Sequence, residues 1–361
     1  MEGAVRFPIR YGARITRWRL HVRNHNYASG ATLSSVGNLT GIWFGQGENG
    51  SFSGPPTQIV SRMTVRGADT ATQWVDIPIN ADEEYLLSIG WKSSAAPKVQ
   101  TAGGGWTAAS SSSAAAESAA AFKVAYFVPY DWWIEAETAS ATPTIAGYGD
   151  SITVGTGTDQ IISTSWLSLF ARQNHALPIH YAFPGSGMSL WLKATSGRMW
   201  ARWKEFDRAD AVIHFMGQND LASAREAAVM KQRFDSVIPL ISEHISPNIF
   251  AATITPHLGK TEAQNSVRRQ HANYLRSLPQ GINGLFDFGA AVSANDVSLR
   301  PEFRGGPLGT DELHPSTAGG AAMAATITCP ILSTGLASPN AGKSINEIAT
   351  AASSGALTGS S

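Results

Sequence analysis

The first third of the chain alternates polar and apolar residues over short stretches that are separated by turns. Residues 17–23 have the period of two that is typical of a half-buried strand. The same pattern predicts strands at residues 39–44, 58–65, 72–79, 85–91, 122–130 and 132–137. Glycine-rich and Ser/Ala-rich residues 101–120 are predicted to form a long loop. Many short strands at this spacing predict an all-β sandwich that resembles a jelly roll.

The pattern changes near residue 142, where apolar runs begin to alternate with longer amphipathic stretches. The apolar runs, which we predict to be strands, cover residues 144–148, 179–183, 211–216, 249–254 and 285–288. The stretches between them, which we predict to be helices, cover residues 159–174, 222–244 and 261–278. Strands that alternate with helices of this length favour a parallel sheet with helices on both faces. The fold class expected here is therefore a three-layer α/β/α domain.

These patterns divide the chain into three parts. We expect a β-sandwich module at residues 1–141, an α/β domain at 142–330 and a low-complexity C-terminal tail at 331–361. Within the tail, Ser344 and Glu347 have the spacing of a capping box, which would begin one short helix. A tail without regular structure is an equally good interpretation.

Composition and charge exclude some classes of function. The chain has 361 residues, of which 43% are hydrophobic and 15% charged, so it is too apolar for a disordered protein. It has 27 Lys+Arg and 27 Asp+Glu, and this balance argues against binding to nucleic acid or to an anionic membrane. Neither a signal peptide nor a membrane span is expected from the hydrophobic pattern. With one cysteine, Cys329, the chain cannot form an internal disulfide.

Four short polar segments follow predicted strands or precede the last helix of the α/β domain. Ser151 stands at a glycine-flanked turn after the first strand, and Gly187 lies in a glycine-rich segment after the second. Asn219 and Asp220 follow the third strand, where Asp220 suits the N-cap of a helix from Leu221. Each of these segments, taken alone, is as well explained as an ordinary turn or cap.

The fourth segment contains Asp311 and His314 just before an alanine-rich helix. A spacing of three residues lets the carboxylate accept a hydrogen bond from one imidazole nitrogen and orient the other, which is what a general base requires. Since parallel strands end at the same edge of a sheet, all four segments are expected to meet there.

In this order of Ser, Gly, Asn and His, the chain resembles the SGNH, or GDSL-type, family of esterases and lipases. The resemblance covers about residues 143–330 and rests on Gly149-Asp150-Ser151-Ile152, Gly187, Gly217-Gln218-Asn219-Asp220 and Asp311 to Pro315. With its β module, the chain also looks loosely like SGNH proteins encoded by actinobacterial phages.

The resemblance implies a role for each residue. Ser151 would be the nucleophile, His314 the general base and Asp311 the residue that orients His314. The oxyanion hole would consist of the backbone N–H groups of Ser151 and Gly187 and the side-chain amide of Asn219. No cofactor and no metal ion are implied.

Two functional interpretations remain open at this point. The first is a serine esterase that removes short acyl groups, such as acetyl, from carbohydrate. The second is a structural or adhesion component, for example of a phage tail, in which the hydrolase domain is auxiliary or inactive. The expected partners are an ester substrate, including an acylated glycan, and a homo-oligomer or larger assembly is left open. The place of action is likewise open, with a virion or a cell surface as candidates.

Overall fold

The computed structural model describes residues 2–26, 31–32, 37–67, 69–93, 99–107, 112–119, 123–129, 131–194, 208–223, 226–329 and 345–349. Antiparallel strands occupy its N-terminal part. They are β1 (Glu2–Ile9), β2 (Ile15–Arg23), β3 (His25–Asn26), β4 (Ala31–Thr32), β5 (Gly37–Glu48), β6 (Ser51–Phe52), β7 (Thr57–Val60), β8 (Met63–Val65), β9 (Thr70–Ala71), β10 (Tyr85–Ser93), β11 (Val99–Thr107), β12 (Lys123–Pro129) and β13 (Asp131–Thr138). A 3₁₀ helix, Ser113–Glu117, lies between β11 and β12.

Two main sheets form this β-rich part. One has the strand order β12-β11-β1-β10-β5-β6, with β7 and β8 also paired to β5, and the other contains β13, β2 and β9. Phe7 and Leu87 of the first sheet share a buried core with Trp18, Leu20 and Ile134 of the second. The residues of this core recur at alternate positions, such as Val5, Phe7 and Ile9 of β1, and this period of two gives each sheet one face that packs on the other. The predicted antiparallel β-rich region is therefore confirmed.

The structure differs from the predicted strands in several places, and the predicted strand at residues 58–65 is divided into β7 and β8. The predicted loop at residues 101–120 begins instead with β11, whose backbone pairs with both β1 and β12. The predicted strand at residues 72–79 is reduced to isolated bridges at Val75 and Ile79. Pro78 accounts for part of this difference, because proline cannot donate to a strand ladder.

Strand β1 has no counterpart among the predicted strands, because a charged residue interrupts its apolar pattern. Arg6 lies at its centre and is fully buried. Its guanidinium donates to the Gly50 carbonyl at 2.6 Å and to Ser88 Oγ at 3.3 Å. These hydrogen bonds offset the cost of burying the charge, and burial lowers the pKa of Arg6 to about 10.

Parallel strands make up the central sheet of the second part. They are β14 (Thr144–Gly149), β15 (Leu177–Ala182), β16 (Ala211–Phe215), β17 (Ile249–Ala252) and β18 (Gly284–Phe286). Their order in the sheet is β15-β14-β16-β17-β18, and every neighbouring pair is parallel. A short hairpin of β19 (Arg304–Gly305) and β20 (Asp311–Pro315) follows.

Helices cover both faces of this sheet. They are α1 (Ser151–Val154), α2 (Trp166–Gln173), α3 (Met188–Ala194), α4 (Ala227–His244), α5 (Glu262–Arg276), α6 (Phe288–Val292) and α7 (Thr317–Ala324). Shorter 3₁₀ helices span Asp220–Ala222 and Pro301–Phe303. Apolar residues of α3, α4 and α5 pack on one face, and those of α2, α6 and α7 pack on the other. The predicted three-layer α/β/α arrangement is confirmed.

Side chains join the antiparallel sheets to the parallel sheet. Trp133 of β13 is buried in the core that contains Ile179 and Tyr181 of β15, and Leu177 belongs to the core of the sandwich. The His175 ring also lies 3.0 Å from the Gly12 carbonyl oxygen. Separating the two parts would therefore expose large apolar side chains to water.

The C-terminal tail contributes a strand where one interpretation expected a helix. Residues Ile345–Ala349 form β21, which pairs antiparallel with β13 at the edge of the smaller sandwich sheet. The capping-box prediction is wrong here, because unpaired backbone groups on β13 offer a ladder that a short isolated helix cannot match. Residues 331–344 and 350–361 of the predicted tail lie outside the described residues.

No helix within the described ranges combines the length and the hydrophobicity that crossing a bilayer requires.

Buried histidines should make folding stability depend on pH. His180, His214 and His271 are buried, and burial lowers their pKa values to about 4, 3 and 4. The unfolded chain binds protons near pH 6.5 that the folded chain cannot bind, so stability is lost as pH falls below about 6.5. We expect the free energy of unfolding in urea to decrease between about pH 6.5 and pH 4, with each histidine contributing up to about 1.4 kcal/mol per pH unit.

The His271→Gln variant tests the origin of this dependence. Its free energy of unfolding should fall less steeply with decreasing pH than that of the wild type. His244→Gln, at the partly exposed end of α4, is the matched control. Equal slopes for wild type and His271→Gln would contradict the assignment.

Candidate active site

The functional residues gather where the strand order of the parallel sheet reverses. The chain enters the sheet at β14, adds β15 on one side and then adds β16 on the other. Connections after β14 and β16 therefore run to opposite faces and leave a crevice at the carboxyl ends of these strands, where open α/β sheets bind ligands. Ser151 follows β14 and Asn219 follows β16, so both residues lie at this crevice.

Ser151 is the first residue of helix α1. Asp150 caps this helix, and its Oδ1 accepts a hydrogen bond from the Ile152 N–H at 3.0 Å. The immediate change from strand to helix places Ser151 at the upper edge of the sheet, and only 8% of the residue is exposed. As the first helical residue, Ser151 has no intrahelical acceptor for its own N–H.

A hydrogen-bonded series links Ser151, His314 and Asp311. Ser151 Oγ lies 2.9 Å from His314 Nε2, and His314 Nδ1 lies 2.7 Å from Asp311 Oδ2. The carboxylate also accepts the backbone N–H groups of Leu313 and His314 at 2.9 and 3.0 Å. The structure thus brings together three of the residues that the sequence singled out, in the geometry that deprotonates a hydroxyl group.

The environment of Asp311 favours its ionised form. Burial by itself would raise the pKa of Asp311, but hydrogen bonds from the His314 ring and from two backbone N–H groups lower it to about 2. An ionised Asp311 accepts the Nδ1–H of His314, which leaves Nε2 as the nitrogen that can take a proton from Ser151.

A tight loop supports the position of His314. Gly157 has a φ of +94°, and a Cβ at this position would come within 2.7 Å of the Cβ of His314. The Gly157 carbonyl accepts the N–H of Gly306, which ties the loop to the hairpin that carries His314. Only glycine satisfies both the backbone conformation and the close approach.

Asn219 and Gly187 lie beside Ser151. Asn219 Nδ2 donates to the Ser186 carbonyl at 2.8 Å and lies 3.5 Å from Asp150 Oδ2. Ser186 is fully buried, and its hydroxyl donates to the carbonyl groups of Gly149 and Phe183. These contacts connect the segments that follow β14, β15 and β16, so that the Asn219 amide and the backbone around Gly187 lie at one edge.

Asp220 does not have the role that its sequence position suggested. The prediction made it the N-cap of a helix from Leu221, but a 3₁₀ helix begins at Asp220 itself and no side chain caps it. The Asp220 carboxylate instead accepts the N–H groups of Met188 and Ser189 at 2.8 and 3.1 Å, at the beginning of α3. The prediction was wrong because the sequence shows only that Asp220 precedes its own short helix. It cannot show that folding brings the N-terminus of α3 to the Asp220 carboxylate.

Asp220 also fixes the backbone at Gly187. A Cβ on Gly187 would lie 2.7 Å from Asp220 Oδ2, so this position must be glycine for the carboxylate to reach α3. Arg233 of α4 donates to Asp220 Oδ1 at 2.9 Å and balances its charge. Sequence reasoning missed Arg233, and the only available signal was its place on a helix that follows the Asn-Asp pair.

Asp150 is a second buried carboxyl group at the site. Burial raises its pKa to about 7, while the hydrogen bond from the Ile152 N–H and the positive charge of His314 act in the opposite direction. Burial thus disfavours the ionised form of Asp150, the residue that directly precedes the nucleophile.

Three further polar residues border the site, and none of them was given a role from the sequence. They are Gln218, His257 and Lys260, which lie on the connections that follow β16 and β17. Histidine, aspartate and glutamate do not come together in any group of three or more that could hold a metal ion, as far as the described residues extend.

Comparisons with known proteins agree with this geometry. The sequence model of the GDSL-like Lipase/Acylhydrolase family matches residues 148–322, the part of the chain that contains all the residues above. A search of the curated proteins returned no match.

The solved structures to which the chain is similar include the following three. A member of the lipolytic protein G-D-S-L family from Veillonella parvula DSM 2008 has 18% identity and a TM-score of 0.41, covering 51% of this chain and 96% of that one. A family two carbohydrate esterase from Clostridium thermocellum, in complex with cellohexaose, has 14% identity and a TM-score of 0.42, covering 90% and 89%. A carbohydrate esterase family 2 enzyme plus carbohydrate binding domain from Corynascus thermopiles has 15% identity and a TM-score of 0.43, covering 91% and 93%. At this level of similarity, none of them specifies a substrate for this chain.

The contacts of Asp220 predict a large effect on stability. Asp220→Asn replaces one charged acceptor and weakens the bonds to α3 and to Arg233, so the free energy of unfolding in urea should fall by about 2–3 kcal/mol. Asp235→Asn is a matched control, because Asp235 pairs with Lys231 on the exposed side of α4. The control should change stability by no more than about 0.5 kcal/mol. Similar losses for the two variants would show that Asp220 does not hold α3 in place.

Proposed function

We propose a function from the premise that this chain belongs, through residues 148–322, to the GDSL-like lipase/acylhydrolase family of carboxylic ester hydrolases. Ser151, His314 and Asp311 form the catalytic triad of a serine esterase that acts through an acyl-enzyme. The observation that carries this proposal is the unbroken hydrogen-bonded series from Ser151 Oγ through the His314 ring to Asp311 Oδ2, at 2.9 and 2.7 Å. A hydroxyl group becomes an effective nucleophile only when such a base removes its proton.

In the first half of the reaction, Ser151 Oγ attacks the ester carbonyl while His314 Nε2 takes the hydroxyl proton. Asp311 holds the imidazole in the correct tautomer and stabilises the imidazolium that forms. His314 then gives the proton to the leaving alcohol, and the acyl group remains on Ser151. Water attacks this acyl-enzyme in the second half, again with His314 as base, and the carboxylic acid leaves.

The negative oxygen of the tetrahedral intermediate is bound by the N–H groups of Ser151 and Gly187 and by the amide of Asn219. Among the described residues, no acceptor pairs with the Ser151 N–H at the start of α1. The Asn219 amide is oriented by the Ser186 carbonyl at 2.8 Å, and its other contact, with Asp150 Oδ2 at 3.5 Å, is long enough to be exchanged for the oxyanion. Such pre-oriented donors stabilise charge without reorganisation during the reaction.

For the substrate, we propose short-acyl esters, such as acetyl esters, on carbohydrate. Polar residues accompany the triad on the segments that carry Asn219 and His314 and on the connection after β17, namely Gln218, His257, Lys260 and Glu312, and polar groups suit an alcohol that carries many hydroxyls. We propose that the sandwich, which precedes the hydrolase part and resembles a jelly roll, directs the enzyme to a polymer.

Kinetics of single variants should separate the proposed roles. Ser151→Ala should abolish ester hydrolysis, and His314→Ala should cost nearly as much because the hydroxyl then has no base. The double variant should be no worse than either single variant, since the two groups act as one unit. Asp311→Asn should give an intermediate loss, and Asn219→Ala should lower kcat by about 10²–10³-fold, the effect of one oxyanion donor.

These measurements use 4-nitrophenyl acetate, with circular dichroism to verify that each variant is folded. Full activity of folded Ser151→Ala would refute the mechanism. If the wild type hydrolyses no ester at all, the alternative of a structural or adhesion protein with an inactive domain replaces the proposal.

The substrate is tested with a series of 4-nitrophenyl esters and with acetylated oligosaccharides. We expect kcat/KM to be highest for acetyl and to fall as the acyl chain lengthens, and acetate to be released from the sugar. Two exposed leucines lie near the segments of the site, Leu258 on the connection after β17 and Leu308 between β19 and β20. A preference for long acyl chains would contradict the proposal and would indicate that these leucines bind the acyl chain.

A further inference from the structure

Lys260 is a half-buried ammonium group at the edge of the site. It lies near the end of the connection between β17 and α5. Its Nζ lies 3.5 Å from the Gln218 carbonyl oxygen. That carbonyl belongs to the residue directly before Asn219. Burial lowers the pKa of Lys260, and the negative charge of Asp150 acts in the opposite direction, so the amine is near the residues around Ser151.

The carboxylates around the crevice already have partners. Asp311 pairs with His314 at 2.7 Å, Glu312 with Arg304 at 2.9 Å and Asp220 with Arg233 at 2.9 Å. Lys260, in contrast, forms no ion pair with any carboxylate in the part of the chain that the structure describes. The charge of Asp150 raises the pKa of Lys260, but Asp150 is buried and does not form an ion pair with the amine. Apart from the contact with the Gln218 carbonyl, the amine therefore has donors that no described residue accepts.

Two neighbouring side chains have unsatisfied polar atoms as well. Gln218 is only 5% exposed, yet neither its Nε2 nor its Oε1 has a hydrogen-bond partner among the described residues. Nδ1 of His257 is also buried without a partner there. His257 lies near enough to Lys260, Asp311 and His314 for the charge of each to affect its pKa, which burial lowers. Polar atoms that lack a protein partner can be satisfied by a ligand, and those of Gln218 and His257 lie on the two connections that carry Asn219 and Lys260.

We propose that Lys260, together with Gln218 and His257, forms a subsite for an anionic group on the substrate, such as a carboxylate or a phosphate. This inference rests on the proposed ester hydrolysis at Ser151 and specifies its substrate class: an ester whose acyl part or alcohol part carries a negative charge. For a carbohydrate substrate, the corresponding compounds are acidic sugars rather than neutral ones. Lys260 supplies the charge, and the Gln218 amide and the His257 ring supply neutral hydrogen bonds.

The test compares esters that differ in one charge. In the first pair, 4-acetoxybenzoate and 4-acetoxybenzamide differ in the leaving group, and in the second, mono-4-nitrophenyl glutarate and 4-nitrophenyl pentanoate differ in the acyl group. The measured quantity is the ratio of kcat/KM for the charged ester to that for the neutral ester. We expect Lys260→Met to lower this ratio about tenfold or more in one of the two pairs, and Lys260→Arg to retain it, since hydrogen bonds to charged groups are of this strength.

Lys231→Met is the matched control, because Lys231 is an exposed lysine that pairs with Asp235 on α4. The ratio of the wild type should also decrease as salt is added, whereas the ratio of Lys260→Met should not. An unchanged ratio for Lys260→Met in both pairs would overturn the subsite. A lysine that only compensates the charge of Asp150 would lower turnover of both esters equally and leave the ratio unchanged.

Activity on the neutral esters distinguishes a refuted subsite from a failure of the proposed esterase function. If the wild type hydrolyses neither the neutral nor the charged esters, the esterase mechanism itself is wrong. If it hydrolyses the neutral esters and the ratios do not respond to Lys260, the mechanism stands and only the subsite is refuted.

Discussion

The hydrogen bond between Ser151 Oγ and His314 Nε2 joins two residues that are 163 positions apart in the chain. It can form only if the end of β14 and the hairpin of β19 and β20 are held within a few ångströms of each other. The parallel sheet fixes the first position, and the loop at Gly157 packs against the backbone of His314 and fixes the second. Most of the remaining structure of the hydrolase part can be understood as the support that this one contact requires.

A second set of contacts connects the oxyanion residues to the core. Asp220 leaves its own short helix uncapped and caps α3 instead, while Arg233 balances its charge. The buried Ser186 joins the segments after β14 and β15, and Asn219 donates to its carbonyl. Because these interactions are made by groups that are buried or nearly so, they keep the donors in place before the substrate arrives, which is the condition for electrostatic stabilisation of an oxyanion.

The sequence allowed the parallel sheet and the Ser, Gly, Asn and His segments to be predicted, because an apolar run followed by a polar turn has a local signature. It did not reveal β1, since the buried Arg6 breaks the apolar pattern and is satisfied by a carbonyl and a hydroxyl group far away in the chain. The contact between Asp220 and the N-terminus of α3 was not predicted either, because it also joins segments that are distant in the chain. Lys260 had no signal in the sequence, and Gln218 appeared only as part of the motif around Asn219, because the lack of a hydrogen-bond partner becomes visible only in the folded structure.

Covalent labelling of Ser151 tests the central claim most directly, because it reports the activated nucleophile without reference to any substrate. The wild-type protein is treated with a fluorophosphonate, and the labelled residue is identified by mass spectrometry of its peptides. The account predicts one adduct, on Ser151, and strongly reduced labelling in His314→Ala, where the hydroxyl lacks its base. Absence of an adduct on the folded wild-type protein, or an adduct on another residue with Ser151 unmodified, would contradict it.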